Sequence, residues 1–253
     1  GDDTIVAGTG ADVILGDNGS ATYTAGTTQL QQVVSTDVTN ATGGNDSIIG
    51  GAGDNVIVAG VGADTVLVVA GNDIVLGDNG RIDWTTSGVI SEVQTTELGL
   101  GGNDVILAGD GNNVVLGGFG TDTITTGSGT DVILGDNGQF QYTEVAGVAV
   151  LTGAQTTDAT VATGGSDVIV GGGGTAGDVI LAGVGADIVT TVASTSSTLL
   201  TGAVVAGDTW TVELVAGGVT TTFSYTVPLA GATLAEVAAG LAAAINLVTT
   251  DDY

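Results

Sequence analysis

Large aliphatic residues in 1–191 recur at a fixed distance from acidic or amide residues. At thirteen repeat positions an Asp or Asn is followed two positions later by Ile or Val, usually after a Gly-rich stretch, and the steps are often nine residues long. The clearest run covers 50–76, as GGAGDNVIV, AGVGADTVL and VVAGNDIVL. Short apolar runs bounded by glycine turns indicate short strands. The nine-residue period predicts a parallel β-roll with two strands per coil.

One register fits all the nonapeptides of a predicted roll over 1–192. Because only alternate side chains of a strand face inward, the Ile or Val two positions after each acid or amide is predicted to fill the core. The repeat acids and amides are Asp3, Asp12, Asp46, Asn55, Asp64, Asp73, Asp104, Asn113, Asp122, Asp131, Asp167, Asp178 and Asp187.

Nine residues make half a coil, so residues 18 apart should stack in adjacent coils. Neighbouring strands are about 4.8 Å apart, and two carboxylates at about 5 Å repel by roughly 3 kcal/mol at an effective dielectric constant near 20. A few such pairs rival the whole stability of a domain, about 5–15 kcal/mol. The predicted stacked pairs are Asp46 over Asp64, Asn55 over Asp73, Asp104 over Asp122, and Asn113 over Asp131.

The stacked acids require cations that the chain does not supply. It has 28 acidic residues against one basic residue, Arg81, and a formal net charge of −27. Glycine turns bring carbonyl oxygens close to an ion, and Ca²⁺ prefers carboxylate and carbonyl oxygens. The sequence therefore predicts multiple calcium sites at the thirteen repeat positions, with metal binding and folding coupled. Asn55 and Asn113 lower the charge of their sites, so weaker binding is expected there.

The same composition restricts other functions. The chain has no His, Cys or Lys, so the usual general bases, thiol nucleophiles and zinc ligands are absent. Paired carboxylates remain a formal alternative, but eleven Asp residues occupy repeat positions, and we expect no enzyme activity. Nucleic acid is excluded as a partner because phosphate binding needs basic patches. No apolar stretch is long enough for membrane insertion.

A longer period overlies the nonapeptides. The tetrapeptide GDNG occurs at 16–19, 77–80 and 135–138, and each full unit of about sixty residues contains four nonapeptides, GDNG and an insert. Alternating inserts follow it at about 20–41, 81–98 and 139–161, and each predicts a β-hairpin that stands off the roll. The pattern leaves open whether the hairpins leave from one side or from opposite sides. It also leaves two roles open for the GDNG acids, as turn residues or as additional metal ligands: Asp17, Asp78 and Asp136.

The roll pattern ends near residue 192, and 199–253 differ in composition. Alternation over 209–215 and 219–227 predicts a second type of hairpin. Thr233 and Glu236 form a capping box that opens a predicted helix with one apolar face, formed by Leu234, Val237, Leu241 and Ile245. We expect 199–253 to be the first part of a small ββα domain. The first residue already lies inside a repeat and no signal peptide is visible, so a longer parent protein is expected.

The nonapeptides resemble the RTX (repeats-in-toxin) family over roughly 1–190, apart from the inserts. The resemblance implies an all-β fold, a right-handed parallel β-roll (β-solenoid) with Ca²⁺ in its turns. It implies that the repeat Asp is the side-chain ligand and that turn carbonyls complete the shell. It also implies extracellular or cell-surface localisation, filling of the sites by the calcium outside bacterial cells, and type I secretion. Alanine replaces the first repeat glycine at Ala7, Ala59 and Ala108.

The strands are apolar on both faces, as in 105–107 and 114–116. Such strands usually have both faces covered, and an uncovered stripe would be an interaction surface. We expect the hairpins, neighbouring copies, or both to cover it. The favoured function is a calcium-stiffened structural or adhesive segment of a large secreted surface protein that self-associates. The alternatives are the folding module of an RTX enzyme or toxin, and a sugar-binding module that uses the equivalent aromatics Tyr23, Trp84 and Tyr142.

Overall fold

The computed structural model describes residues 1–158, 160, 162–174, 177–191, 209–216, 219–228, 236, 237 and 241. Residue contacts divide the chain into two compact units, Gly1–Thr195 and Ser196–Tyr253. The described part of the first unit contains nineteen strands and no helix, which confirms the predicted all-β class.

These strands are short because glycine turns interrupt each apolar run. In chain order they are β1 (Thr4–Val6), β2 (Val13–Leu15), β3 (Gly19–Tyr23), β4 (Leu30–Ser35), β5 (Ser47–Ala52), β6 (Val56–Val58), β7 (Thr65–Ala70), β8 (Ile74–Leu76), β9 (Gly80–Trp84), β10 (Ile90–Thr95), β11 (Val105–Leu107), β12 (Val114–Gly118), β13 (Thr123–Thr125), β14 (Val132–Asp136), β15 (Gly138–Val145), β16 (Val148–Thr156), β17 (Val168–Gly171), β18 (Val179–Leu181) and β19 (Ile188–Thr191).

Two parallel sheets form the roll. Sheet 1 has the strand order β1-β5-β7-β11-β13-β17-β19, and sheet 2 has the order β18-β14-β12-β8-β6-β2. Successive nonapeptides alternate between the sheets, and the register places Ser47 beside Thr65 and Val114 beside Val132, as the 18-residue stacking predicts. The repeat Ile and Val side chains form the core between the sheets, and most are fully buried.

The three inserts form one further sheet. Sheet 3 is antiparallel, with the order β16-β15-β10-β9-β4-β3, so the hairpins lie side by side. The prediction that they stand off the roll is wrong. Their inward side chains, including Ile82, Val93 and Phe140, pack on the outer face of sheet 2 and bury Leu116 and Leu134 completely. The hairpins lie flat because the strands beneath them are apolar on both faces.

Sheet 1 has no such cover within the described residues. In β5, β7 and β11 the core residue is buried, and the residues directly before and after it are exposed. Its outer face carries exposed large apolar residues, namely Val6, Ile49, Leu67, Val69, Val105, Leu107, Val168 and Ile188. We call these eight residues the sheet 1 face.

The second unit contains an antiparallel pair, β20 (Thr209–Ala216) and β21 (Val219–Thr226). Of the predicted helix, Glu236, Val237 and Leu241 are helical, whereas Thr233, Leu234 and Ile245 lie outside the described residues. Within the part of the chain that the structure covers, no helix has the length and apolar character needed to cross a bilayer.

Candidate calcium ladders

The thirteen repeat acids and amides fall into two rows, one along each edge of the roll. Each row consists of the residues that directly precede the strands of one sheet, so the coil geometry itself sorts them. The first ladder, before sheet 1, contains Asp3, Asp46, Asp64, Asp104, Asp122, Asp167 and Asp187. The second ladder, before sheet 2, contains Asp12, Asn55, Asp73, Asn113, Asp131 and Asp178.

Backbone hydrogen bonds hold each ladder together. In every step one residue donates its backbone N–H to Oδ1 of the next residue in the ladder. The N–H of Asp46 donates to Asp64 at 2.6 Å, and the N–H of Asp104 donates to Asp122 at 2.8 Å. In the second ladder the N–H of Asp131 donates to Asp178 at 3.0 Å. One carboxylate oxygen therefore fixes the spacing of the coils.

The other oxygen, Oδ2, has no partner. It is buried without a hydrogen bond in Asp12, Asp46, Asp64, Asp73, Asp104, Asp122, Asp131 and Asp167. Buried polar atoms are normally satisfied, so a whole row of orphaned anionic oxygens demands cations. The chemistry of this donor set fits Ca²⁺.

Turn carbonyls border the orphaned oxygens. A Cβ placed on Gly77 would overlap Oδ2 of Asp104 and approach the carbonyl oxygen of Gly117, so only glycine leaves this cradle open. Among the described residues, no three acidic side chains form a metal cluster. The geometry therefore fits sites made from ladder Oδ2 atoms and turn carbonyls, as the repeat resemblance implies.

The raised pKa values of the ladder carboxylates also indicate that these groups need a cation when they are ionised. Burial, together with the charge of neighbouring carboxylates, raises the pKa of Asp64 to about 7, of Asp122 to about 8 and of Asp167 to about 7. Arg81 does not neutralise the ladder carboxylates, because its guanidinium pairs with Asp83 at 2.6 Å and Glu92 at 2.9 Å.

The GDNG acids lie at the first ladder. Asp78 is buried beside Asp104 and Asp122, and its burial and their charges raise its pKa well above the usual range. Both of its oxygens accept backbone N–H groups, from Gly102 at 3.0 Å and from Phe119. Asp136 does the same with Gly165 and Val184, and Asp17 accepts from Val61 at 2.7 Å. Each carboxylate thus joins turns of the roll, while its ligand role stays a prediction.

The GDNG asparagines anchor the hairpins in two of the three units. The backbone and side-chain N–H groups of Asn18 donate to Asp37 at 3.0 and 2.9 Å, and Asn137 makes the same pair of bonds to Asp158. The equivalent Asn79 is buried and neither of its side-chain polar atoms has a partner. Glu97 stands at the position of the two aspartates.

We predict that Glu97→Asp stabilises the roll. A shorter carboxylate at this position would reproduce the Asn18–Asp37 pair and satisfy Asn79, which is worth about 1 kcal/mol or more. Glu97 also has φ of 50°, a conformation that Asp tolerates better. Urea denaturation of calcium-saturated protein should show a higher midpoint. Glu97→Ala, which supplies no acceptor, is the matched control, and an equal gain in both variants would contradict the proposed pairing.

The sequence reasoning missed an outer ladder one residue before the main ones. The side chain of Asn45 accepts the N–H of Ala63, that of Asn72 accepts the N–H of Asn112, and that of Asn112 accepts the N–H of Thr130, at 2.8–2.9 Å. Recurring polar residues before the repeat acid could have indicated it. These hydrogen bonds lie at the surface and reinforce the coil spacing.

The equivalent aromatics border a groove between sheets 2 and 3. Trp84 and Tyr142 pack against the core between these sheets and line a cavity of about 640 Å³ with Leu30 and Ile90. Burial raises the pKa of the Tyr142 phenol. Tyr23 is 46% exposed. Two of the three aromatics therefore hold the hairpin sheet on the roll.

A family model described as RTX calcium-binding nonapeptide repeat (4 copies) matches residues 1–23, 36–66 and 98–133. The matched segments contain nine of the thirteen ladder residues, from Asp3 to Asp131. No curated protein sequence matches the chain. These repeats bind multiple Ca²⁺ ions, in agreement with the orphaned oxygens of both ladders. The matched segments of the chain therefore carry RTX calcium-binding nonapeptide repeats.

Proposed function

We propose that this chain is a calcium-dependent structural or adhesive segment of a large secreted bacterial surface protein. The observation that carries the proposal is the uneven cover of the roll. Sheet 3 shields the outer face of sheet 2, whereas none of the described residues covers the sheet 1 face between β1 and β19. Contiguous apolar surface of this kind is typical of an interaction site.

The repeat geometry supports a rod that can be extended. Each sixty-residue unit adds two strands to sheet 1, two to sheet 2 and one hairpin to sheet 3. At about 4.8 Å per strand, all three sheets advance by roughly 10 Å per unit and stay in register. Calcium in the ladders then stiffens every coil.

The proposal places the segment outside the cell and assigns it no catalytic role. RTX repeat proteins are typically secreted by type I systems, and weak sites of this class fill at extracellular calcium concentrations. The chain has no His, Cys or Lys to serve a reaction, and its repeat aspartates form the two ladders.

Self-association through the sheet 1 face is the part of the proposal that is most directly testable. We predict that Leu67→Asp with Leu107→Asp abolishes calcium-dependent assembly, because two charges would enter an apolar contact. Sedimentation velocity across protein concentrations, with calcium, measures this. A control with Thr143→Asp and Thr152→Asp adds the same charge to exposed positions of sheet 3 and should assemble normally.

Circular dichroism of each variant establishes that the fold is retained. Monomers of the unmodified protein at high concentration with calcium would contradict assembly. They would favour the alternative, a folding module attached to an RTX enzyme or toxin, which needs no contact between copies.

A further inference from the structure

Asn55 and Asn113 occupy the second ladder in a way that the aspartates do not. The amide nitrogen Nδ2 of Asn55 donates to the carbonyl oxygen of Gly53 at 2.7 Å and to Oδ1 of Asp73 at 2.9 Å. Nδ2 of Asn113 donates to the carbonyl oxygens of Gly109 at 3.2 Å and Gly111 at 3.3 Å. Both residues are fully buried.

The contrast with the aspartates lies at the second atom of the side chain. Oδ1 of Asn55 and Asn113 accepts a ladder N–H, as Oδ1 of an aspartate does. The remaining atom is a buried, orphaned Oδ2 in eight ladder aspartates, but a satisfied hydrogen-bond donor in the two asparagines. The amide therefore offers its own N–H groups to the turn carbonyls that could otherwise coordinate a cation.

We propose that Asn55 and Asn113 close their turns without calcium, with the amide group in place of the ion. The proposal rests on calcium binding by the repeats and is independent of the surface role. It assigns calcium-dependent closure to the first ladder and one amide-closed position in the second ladder to each of the two complete units, which begin at Asp46 and Asp104.

The charge pattern of the ladders follows from this assignment. From Asp12 to Asp131 the second ladder alternates between charged and neutral residues, so no carboxylate stacks on another. The first ladder has carboxylates throughout, with Asp78 and Asp136 added beside it. Fewer charged ligands give weaker calcium sites, and a neutral donor removes the need for an ion. One edge of the roll thus responds to calcium more strongly than the other.

The test converts the amides to acids. Asn55→Asp with Asn113→Asp should bind at least two more Ca²⁺ per chain at saturation, measured by equilibrium dialysis with elemental analysis. An unchanged calcium count would overturn the proposal.

The matched control changes two asparagines of the outer ladder, where Asn72 directly precedes Asp73 and Asn112 directly precedes Asn113. Asn72→Asp with Asn112→Asp adds two equal charges, but these side chains are exposed and already accept backbone N–H groups. The control should bind the same number of ions as the unmodified protein. An equal rise in both double variants would show that added charge alone recruits calcium, which contradicts amide closure.

A third variant decides the question if the acidic pair does not fold. Asn113→Ala removes the amide and should lower thermal stability in saturating calcium without any change in the number of bound ions. Loss of one bound ion in this variant would show that Asn113 is a calcium ligand and would overturn the proposal.

Discussion

Removal of calcium at pH 8 is expected to unfold the roll, with loss of its β-sheet circular dichroism signal and a large fall in the thermal midpoint. The reason is the row of orphaned Oδ2 atoms, which stack from coil to coil without a protein cation. Each stacked pair of carboxylates repels by roughly 3 kcal/mol at about 5 Å. The first ladder contains six such steps, enough to exceed the stability of a typical domain.

The pH dependence of the calcium-free protein follows from the same groups. Asp64, Asp122 and Asp167 have folded-state pKa values of about 7 to 8, above the unfolded value near 3.9. The folded state therefore binds more protons, so its stability is fully present below pH 4 and is lost as pH rises through 7 to 8. Without calcium the roll should be more stable at pH 5 than at pH 8.

Calcium should reverse this trend because it binds deprotonated carboxylates. A calcium titration at pH 8 should restore the spectrum cooperatively, whereas equal magnesium should act weakly because it demands octahedral geometry and loses its water reluctantly. Thermal scans at pH 5 and 8, with calcium and with chelator, complete the test. A compact fold that chelator leaves unchanged at pH 8 would contradict the prediction that the roll needs calcium to fold.

The ladders could be predicted from sequence because the nine-residue repeat length alone determines which residues stack in adjacent coils. A nine-residue half coil places Asp104 over Asp122 whatever the inserts do, and the structure joins these residues by a hydrogen bond of 2.8 Å. The core positions follow from the same register, since alternate residues of a strand share a face. The calcium prediction required only charge and spacing in addition.

The side of the hairpins could not be read from the residue pattern alone. Each insert leaves sheet 2 after β2, β8 or β14 and returns to sheet 1 at β5, β11 or β17, so it replaces a turn and adds no half coil. Four strands per unit is an even number, and every hairpin therefore starts at the same edge. The sequence leaves undetermined whether an insert completes a half coil, because both arrangements bury alternating strands equally well.

The roles of the GDNG acids and of the ladder amides also required coordinates. Asp78 and Asp104 are the same residue type in similar turns, yet only Asp78 has both oxygens satisfied by backbone N–H groups. Likewise, the sequence indicates only that Asn113 lowers the local charge. The direction of its amide toward Gly109 and Gly111 depends on turn geometry.

Two leucines at equivalent repeat positions should give very different results on truncation. Leu116→Ala is expected to destabilise the calcium-saturated roll by about 2–5 kcal/mol, as for a buried leucine. Leu107→Ala should cost about 1 kcal/mol or less in the monomer. Both residues directly follow a core position, but Leu116 is fully buried beneath sheet 3 and Leu107 is 40% exposed on the sheet 1 face. Urea denaturation at low protein concentration measures the difference.

The dependence of each stability loss on protein concentration then distinguishes the covered face of sheet 2 from the exposed face of sheet 1. The loss at Leu116 should not depend on concentration, because its cover belongs to the same chain. The loss at Leu107 should grow with concentration if a second copy covers the sheet 1 face, since binding to the folded state adds to stability by mass action. Equal losses at low concentration would contradict the one-sided cover by sheet 3. A Leu107 effect that stays small at every concentration would leave the roll monomeric and remove the support for assembly through this face.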